Sequence, residues 1–507
     1  MAYTELTLCY SLNAPTSFYL YTQTRLRVFG KFALMIDSLI EDATSTTYLP
    51  DLIYTGRRFE SGVALVCAPD GRIIKLARET EAAGKVVRLS GRAMLPGLVN
   101  THSHAFQRMI RGRTERKTSE HDSFWTWREM MYSAATRLRP EDIGEASRMA
   151  FLEMALGGIT AVGEFHYIHH APDGLPYDDP NLTAKAVIEA ARDIGIRIAL
   201  LRVAYARSGY RAEPNTRQNR FIEAEPETYL RNTESLKIEL ERGGSDDAWV
   251  GIAPHSVRAV SLDYLREITS YAASKEDVPF HMHVAEQPAE VRACIEEYGR
   301  TPVEFLYSEG LLTRNFTGVH AIHIAPSEAR LLAQARANVC ACPTTERNLG
   351  DGIFPAEMLF TEGVTIALGT DSHTQIDLLE DARELEYHMR LQKLERALLA
   401  PTDDAAQSSL AARLFDCASI NGARSINAPS GQLAPGLAAD FFTVDLNDPS
   451  IAGATPDDLL SNIVFGLART AIRDVFVGGR QIINNGQHEA QRETVEKFAA
   501  LQRRLWN

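Results

Sequence analysis

The sequence predicts an α/β protein, a (β/α)8 TIM barrel with a small β-sandwich domain built from both chain ends. Three observations point there. Strand-like runs near 94–101, 159–166, 196–204, 249–254, 278–284, 317–322, 338–342 and 364–370 alternate with helix-like segments, the pattern of a parallel sheet with helical crossovers. Eight such units in about 280 residues match the usual size of a closed barrel. Side chains able to bind metal or carry protons fall at the C-terminal ends of these runs, where such barrels keep their catalytic groups. An open doubly wound sheet would offer a ligand crevice at one switch point. It would not gather ligands from strands one, five, six and eight.

Each element has its own signal. Residues 1–47 fit neither unit and form an N-terminal extension of unknown role: a tail, an extra packing element, or residues upstream of a start near Met35. Residues 48–93 hold short β-like runs such as 62–67 and 71–76, and 431–487 hold more, including 439–444 and 474–477; together they make the small sandwich. The barrel domain covers 94–430. Within it, Pro140 followed by Glu141 and Asp142 suits a helical first turn, while Gly157-Gly158 and Gly195 suit helix stops before the next strands. Residues 205–248 are the longest irregular stretch, rich in Arg, Glu, Asn and Gln. A loop plus a helix is expected there, in the position of a lid or substrate loop. Residues 488–507 form a C-terminal helix.

Composition narrows the function classes. With 507 residues, 45% hydrophobic and 23% charged, the chain has the makings of a globular protein with one large domain and a smaller one. A formal net charge of −13 and a pI near 5.6 argue against a nucleic-acid partner, which needs a basic surface. No run approaches the roughly 18 apolar residues of a membrane-spanning helix. The start lacks a signal-peptide layout, since Arg25 and Arg27 follow a polar stretch instead of preceding an apolar core. The expectation is a cytoplasmic homodimer with no membrane partner. Cys9, Cys67, Cys294, Cys340, Cys342 and Cys417 form neither a disulfide framework nor a CxxC pair, and Cys340 and Cys342 read as core packing in a buried strand.

The chemistry starts at His102-Ser103-His104, directly after the apolar run 94–99. Side chains two apart on a strand point the same way, so both imidazoles can reach one cation. His283, His320, Glu286 and Asp371 follow at later strand ends. Catalytic zinc is held by His nitrogen and carboxylate oxygen with one position left for water, and His102, His104, His283 and Asp371 would fill such a shell. Zinc brings the pKa of bound water near 7. Glu286 could then take a proton and pass it to a leaving nitrogen, His320 could steady the reacting centre, and Asp371 could both ligate and orient. Each also has a plainer reading: Glu286 as a solvated loop carboxylate, His320 as a core histidine, Asp371 as a helix N-cap. Their joint placement at barrel strand ends favours the site. Binuclear barrel hydrolases commonly carry a bridging lysine at the end of strand four, where this chain has Pro254-His255. One metal per chain is therefore expected, with His255 free to contact substrate. His166, His169 and His170 are expected to point outward, without a metal role.

These residues resemble the amidohydrolase superfamily in its mononuclear-zinc deaminase branch. The resemblance rests on Leu95-Pro96-Gly97 before the His-x-His, His283 with Glu286, His320, and Gly369-Thr370-Asp371. Within that branch the segments 102–108, 123–128, 164–167, Pro254-His255-Ser256-Val257-Arg258 and Cys342-Pro343-Thr344-Thr345-Glu346 are similar to the formimidoylglutamate deiminases of histidine degradation. The similarity runs from about residue 50 to 490 and leaves the N-terminal extension outside. It implies zinc on His102, His104, His283 and Asp371, and proton handling by Glu286 and His320. It further implies substrate contacts from Gln107, Arg128, Tyr167, His255 and Arg258. Two arginines suit a small dicarboxylate substrate, because a guanidinium offers a planar fork to a carboxylate.

Two rival readings use the same residues. A deaminase of guanine, cytosine or an adenosine derivative would share the metal site but not need the arginines. A non-catalytic barrel scaffold would have no reason to keep four ligands and Glu286. Arg128, between Trp127 and Glu129, could also be a structural stack.

Overall fold

A computed structural model describes residues 44–82, 84–116, 123–275, 278–401 and 409–506. The N-terminal extension, up to position 43, lies outside the described residues.

The two flanks of the chain meet in one mixed sheet. Its N-terminal half consists of β1 (Thr46–Tyr54), β2 (Phe59–Glu60), β3 (Val63–Cys67), β4 (Ile73–Arg78) and β5 (Lys85–Pro96). The barrel strands follow: β6 (Leu98–Ser103), β7 (Ile159–His166), β8 (Arg197–Ala204), β9 (Ala248–Pro254), β10 (Phe280–Val284), β11 (Phe316–His320), β12 (Asn338–Ala341) and β13 (Thr365–Leu368). The chain then returns to the first sheet with β14 (Phe441–Asp445), β15 (Ile472–Val477) and β16 (Arg480–Ile483). The small sheet runs β16-β15-β14-β5-β1-β3-β4, with β2 on β1. Strand β5 joins the halves, parallel to β1 and antiparallel to β14. The sheet curls until Arg72 bridges Ala438, enclosing a core of Tyr48, Leu65, Met94, Phe441 and Phe476.

The barrel strands are parallel and in sequence order from β6 to β13. Every residue of β7 and β8 is buried, as a strand covered on both faces requires; most are apolar, and the buried Glu164, His166, Arg197 and Arg202 each have hydrogen-bond partners. The expected helix punctuation holds. Pro140 opens the helix Pro140–Leu156, where the Asp142 carboxylate accepts the Arg139 N–H at 3.0 Å. Gly195 ends the helix Leu182–Ile194 at φ 87°, a conformation that only a residue without Cβ adopts cheaply. The C-terminal helix is Gln491–Trp506, and the 205–248 stretch carries the helix Pro226–Gly243.

One boundary differs from expectation. The run 94–101 is two strands: Met94, Leu95 and Pro96 pair with β14, and the barrel begins only at Leu98. The apolar pattern is continuous across the break because both strands are buried. The switch sits at Gly97, where a Cβ would lie 2.2 Å from the Thr160 hydroxyl.

The two sheets are clamped by a buried ion pair. Arg197 at the start of β8 donates to Asp440 at 2.9 and 3.4 Å, and Asp440 also accepts the Gly478 N–H at 2.7 Å. Arg197 is 5% exposed and Asp440 fully buried, so removing Asp440 leaves the Arg197 guanidinium with only the exposed Asp246, 3.1 Å away, as a carboxylate partner. Asp440→Ala is expected to cost about 3–5 kcal/mol, read as a lower urea midpoint, and a loss below about 1 kcal/mol would show that the clamp contributes little.

Candidate active site

The C-terminal ends of β6, β10 and β13 bring four donor groups together. The Nε2 atom of His102 lies 3.2 Å from that of His104 and 3.1 Å from that of His283. Asp371 Oδ1 is 3.4 Å from His102 Nε2 and 3.3 Å from His104 Nε2. Ligands bound at 2.0–2.1 Å around a tetrahedral metal are about 3.3–3.4 Å apart, so this set fits one small divalent ion. Second contacts fix the tautomers. His104 Nδ1 donates to the Phe165 carbonyl at 3.0 Å and His283 Nδ1 to the His255 carbonyl at 3.1 Å, which leaves both Nε2 lone pairs facing the shared point. Burial keeps the rings neutral, taking His102 down to about 3 and His283 well below its ordinary value. Burial alone would raise Asp371, but the hydrogen bond to His102 and the neighbouring imidazoles hold its carboxyl below the usual range.

The backbone is bent to achieve this. Asp371 sits at φ 43° and His320 at φ 73°, left-handed values that cost a non-glycine residue on the order of 1–3 kcal/mol and persist only where the surroundings enforce them. At Gly369 a Cβ would stand 2.8 Å from the His102 Cβ, so glycine lets β13 approach β6 closely enough for Asp371 to join the ligands.

Beside the donor set, His320 Nε2 is 3.8 Å from both Glu286 Oε1 and Asp371 Oδ2. Burial pushes the Glu286 carboxyl up to about 7 against the pull of His320. Burial disfavours charge on His320, yet Glu286, Glu346 and Asp371 overcome it and hold its pKa well above the ordinary value. A carboxyl near neutrality beside a polarised histidine can exchange protons with a reacting group.

A pocket opens over these groups. Gln107, Arg128, Tyr167, His255 and Arg258 all line it, together with His104, His283, Glu286, His320 and Asp371. His102, the remaining donor, lies beneath them, fully buried. The Arg128 guanidinium stacks 4.4 Å from the Trp125 ring and its Nε has no partner. Burial pulls its pKa down, and Arg258 adds like-charge repulsion. Arg258 donates to the Tyr205 hydroxyl at 3.4 Å. Among the described residues neither arginine makes a direct ion pair with a carboxylate, although the charge of Arg258 is felt by the buried Glu286 and Glu290.

Several pocket residues escaped the sequence reading. Tyr132 stands four residues after Arg128 on the helix Phe124–Ala135, a spacing that puts both on one face and could have flagged it. Tyr205 and Phe221, and the buried Gln218 that bonds to the lining, come from the 205–248 insertion, and no local signal marks them. The Gln218 amide donates to Tyr132 at 2.8 Å and Tyr205 at 2.6 Å, so the insertion does build the substrate side of the pocket. It is anchored by the buried pair Arg202–Glu223 at 2.5 and 2.8 Å. The reading of His166 and His169 also needs correcting. They are buried, not outward, bonded to Thr183 at 3.1 Å and to the Val203 carbonyl at 2.8 Å; His170 bonds the Ile222 carbonyl at 2.9 Å. Cys340 and Cys342 pack with Val319 in the interior. Cys342 also lies with His320 and Asp371 in a second group of donor atoms, and burial drives its thiol up.

Comparison with known proteins agrees with this geometry. The amidohydrolase family profile matches residues 93–482. The chain is 38% identical over 433 residues to formimidoylglutamate deiminase of Pseudomonas aeruginosa, covering 85% of this chain and 93% of that one. It is 28% identical over 413 residues to the 5-methylthioadenosine/S-adenosylhomocysteine deaminase of Natronomonas pharaonis, covering 80% and 85%. The crystal structure of an amidohydrolase from Brucella melitensis superposes with a TM-score of 0.83 at 33% identity, covering 91% of this chain and all of that one. With strand-end donors, barrel and flanking sheet all accounted for, the chain belongs to the amidohydrolase family.

Proposed function

We propose that this protein hydrolyses N-formimino-L-glutamate to N-formyl-L-glutamate and ammonia. The observation that carries this reading is the pair of guanidinium groups, Arg128 and Arg258, that line the same pocket as His104, His283 and Asp371 of the donor set without a direct carboxylate contact of their own. Two fixed cations with no carboxylate in direct contact suit a ligand that brings its own carboxylates. Relatedness to a deiminase acting on formimidoylglutamate points the same way.

In this mechanism zinc, held by the three imidazoles and Asp371, supplies the Lewis acidity that makes water a nucleophile at neutral pH. The chain's own groups do the rest. Arg128 and Arg258, with donors from Tyr167, Gln107 and His255, hold the glutamate skeleton so that its formimino carbon faces the donor set. Glu286 takes a proton from the attacking water as oxygen bonds to that carbon. His320, 3.8 Å from Glu286, steadies the tetrahedral centre. Glu286 then returns that proton to the imino nitrogen, takes the remaining hydroxyl proton of the tetrahedral centre and passes it to the same nitrogen as the C–N bond breaks, so that ammonia leaves and the formyl C=O forms. The reading carries with it a cytosolic enzyme of a small dicarboxylate; no described helix is long and apolar enough to cross a membrane.

A nucleoside deaminase is the rival with specific support, through the methylthioadenosine deaminases among the relatives. Incubation of zinc-loaded protein with N-formimino-L-glutamate beside adenosine, guanine and cytosine derivatives separates the two. Ammonia release only from the nucleobases would overturn the proposal, and formamide in place of ammonia would replace deimination by cleavage on the other side of the carbon. Arg128→Met and Arg258→Met should each raise KM for formiminoglutamate by about 30-fold or more, since truncating one partner of a charged hydrogen-bonded pair costs about 2–5 kcal/mol. Glu286→Gln should keep fold and metal content while kcat falls about 10²- to 10⁴-fold, the usual contribution of a general acid–base group. Dialysis against a chelator should abolish turnover and added zinc restore it, with metal content followed by elemental analysis.

A further inference from the structure

Glu346 belongs to the Cys342–Glu346 motif, yet the mechanism leaves it without a task. It is 1% exposed and sits on the short helix Pro343–Leu349 after β12, away from the pocket lining. A buried carboxylate needs hydrogen bonds to both its oxygens or a strong charge partner. Glu346 Oε1 receives two donors: the Cys342 N–H at 3.0 Å and the Nδ1 of His320 at 3.2 Å. The opposite nitrogen of the same ring, Nε2, faces Glu286 and Asp371 at 3.8 Å each. His320 itself is held at φ 73° at the end of β11. An isolated carboxylate oxygen can only accept, so Nδ1 must carry a hydrogen and Nε2 is the atom presented to the reacting centre.

We infer that Glu346 is the positioning residue of His320, locking its ring so that Nε2 faces the formimino carbon in every state of the reaction. This rests on the proposed role of His320 at that centre. The Cys342 N–H makes the lock one-sided. At the Oε1 position a carboxamide nitrogen would set donor against donor, so a glutamine at 346 must keep its oxygen there and still accept from Nδ1. The lock therefore depends on an acceptor at this point and not on its charge. An aliphatic side chain would free the ring to turn about its side-chain bonds.

The test is a double-mutant cycle on the zinc-loaded protein. Glu346→Leu should lower kcat for N-formimino-L-glutamate about 10²-fold with KM within about threefold and metal content unchanged, because an interaction made in the transition state is lost and not one made on binding. Glu346→Gln should recover kcat to within about fivefold. In a His320→Asn background, Glu346→Leu should add less than about twofold, since two residues acting through one ring are not additive. Equal losses from Glu346→Leu with and without His320, or an unaltered kcat, would overturn the inference. A second measurement does not depend on turnover: ¹⁵N imidazole spectra of histidine-labelled protein, with His320 assigned by its absence in His320→Asn. Hydrogen on Nδ1 is expected, and a neutral ring protonated only at Nε2 would sink the positioning role. Wild-type protein that shows the Nδ1 hydrogen but no turnover of formiminoglutamate would instead count against the proposed substrate.

Discussion

The structure depends on the seam where the barrel closes. The last strand returns to the first through the Asp371 N–H to the His102 carbonyl at 3.0 Å and the His104 N–H to the Asp371 carbonyl at 3.1 Å. The Thr370 N–H adds a bond to the Asn100 side chain at 3.0 Å. These are the residues that carry, or adjoin, the metal donors. Closing the sheet and assembling three of the four ligands are therefore one event. The left-handed turn at Asp371 and the bare Cα of Gly369 are the local costs of that arrangement, and the buried hydrogen bonds across the seam are what sustain it.

Around this seam the pocket is electrically divided. One end gathers carboxylates, Glu286, Asp371 and behind them Glu346, about a single histidine, and burial keeps the flanking imidazoles neutral. The other end offers only donors to a ligand, the guanidiniums of Arg128 and Arg258 over aromatic rings and phenols. Like charges on Arg128 and Arg258 oppose each other in the free protein. A ligand carrying carboxylates relieves that repulsion, whereas a neutral heterocycle leaves it in place. That asymmetry is what the proposed substrate, with a reactive amidine at one end of an acidic skeleton, would match.

Much of this was legible in the sequence for physical reasons. Buried parallel strands need unbroken apolar runs, so the barrel strands announced themselves, and the ligands stood at their ends. The metal donors could be read because strand alternation places His102 and His104 on one face. What stayed hidden depended on contacts distant in sequence. Gln218 and Tyr205 matter only because the insertion folds back over the helix that carries Tyr132. His166 and His169 were misread as outward because their partners, Thr183 and the Val203 carbonyl, lie 17 and 34 residues further along the chain. The break at Gly97 was invisible because both strands beside it are equally apolar.

The end of β9 ties the two halves of the site together. The His255 carbonyl holds the His283 ring in the tautomer that a metal requires, while the His255 side chain lines the pocket three residues before Arg258. Its backbone N–H is in turn fixed to the Ala204 carbonyl at 2.9 Å, next to Tyr205. A shift at the carboxylate-binding end would thus pass through one short loop to a metal donor. Position 255 therefore does two jobs: its main chain orients a member of the donor set, and its side chain lines the pocket beside it. Because one residue serves both, the donor set and the pocket wall are fixed relative to each other by covalent geometry and not by packing alone.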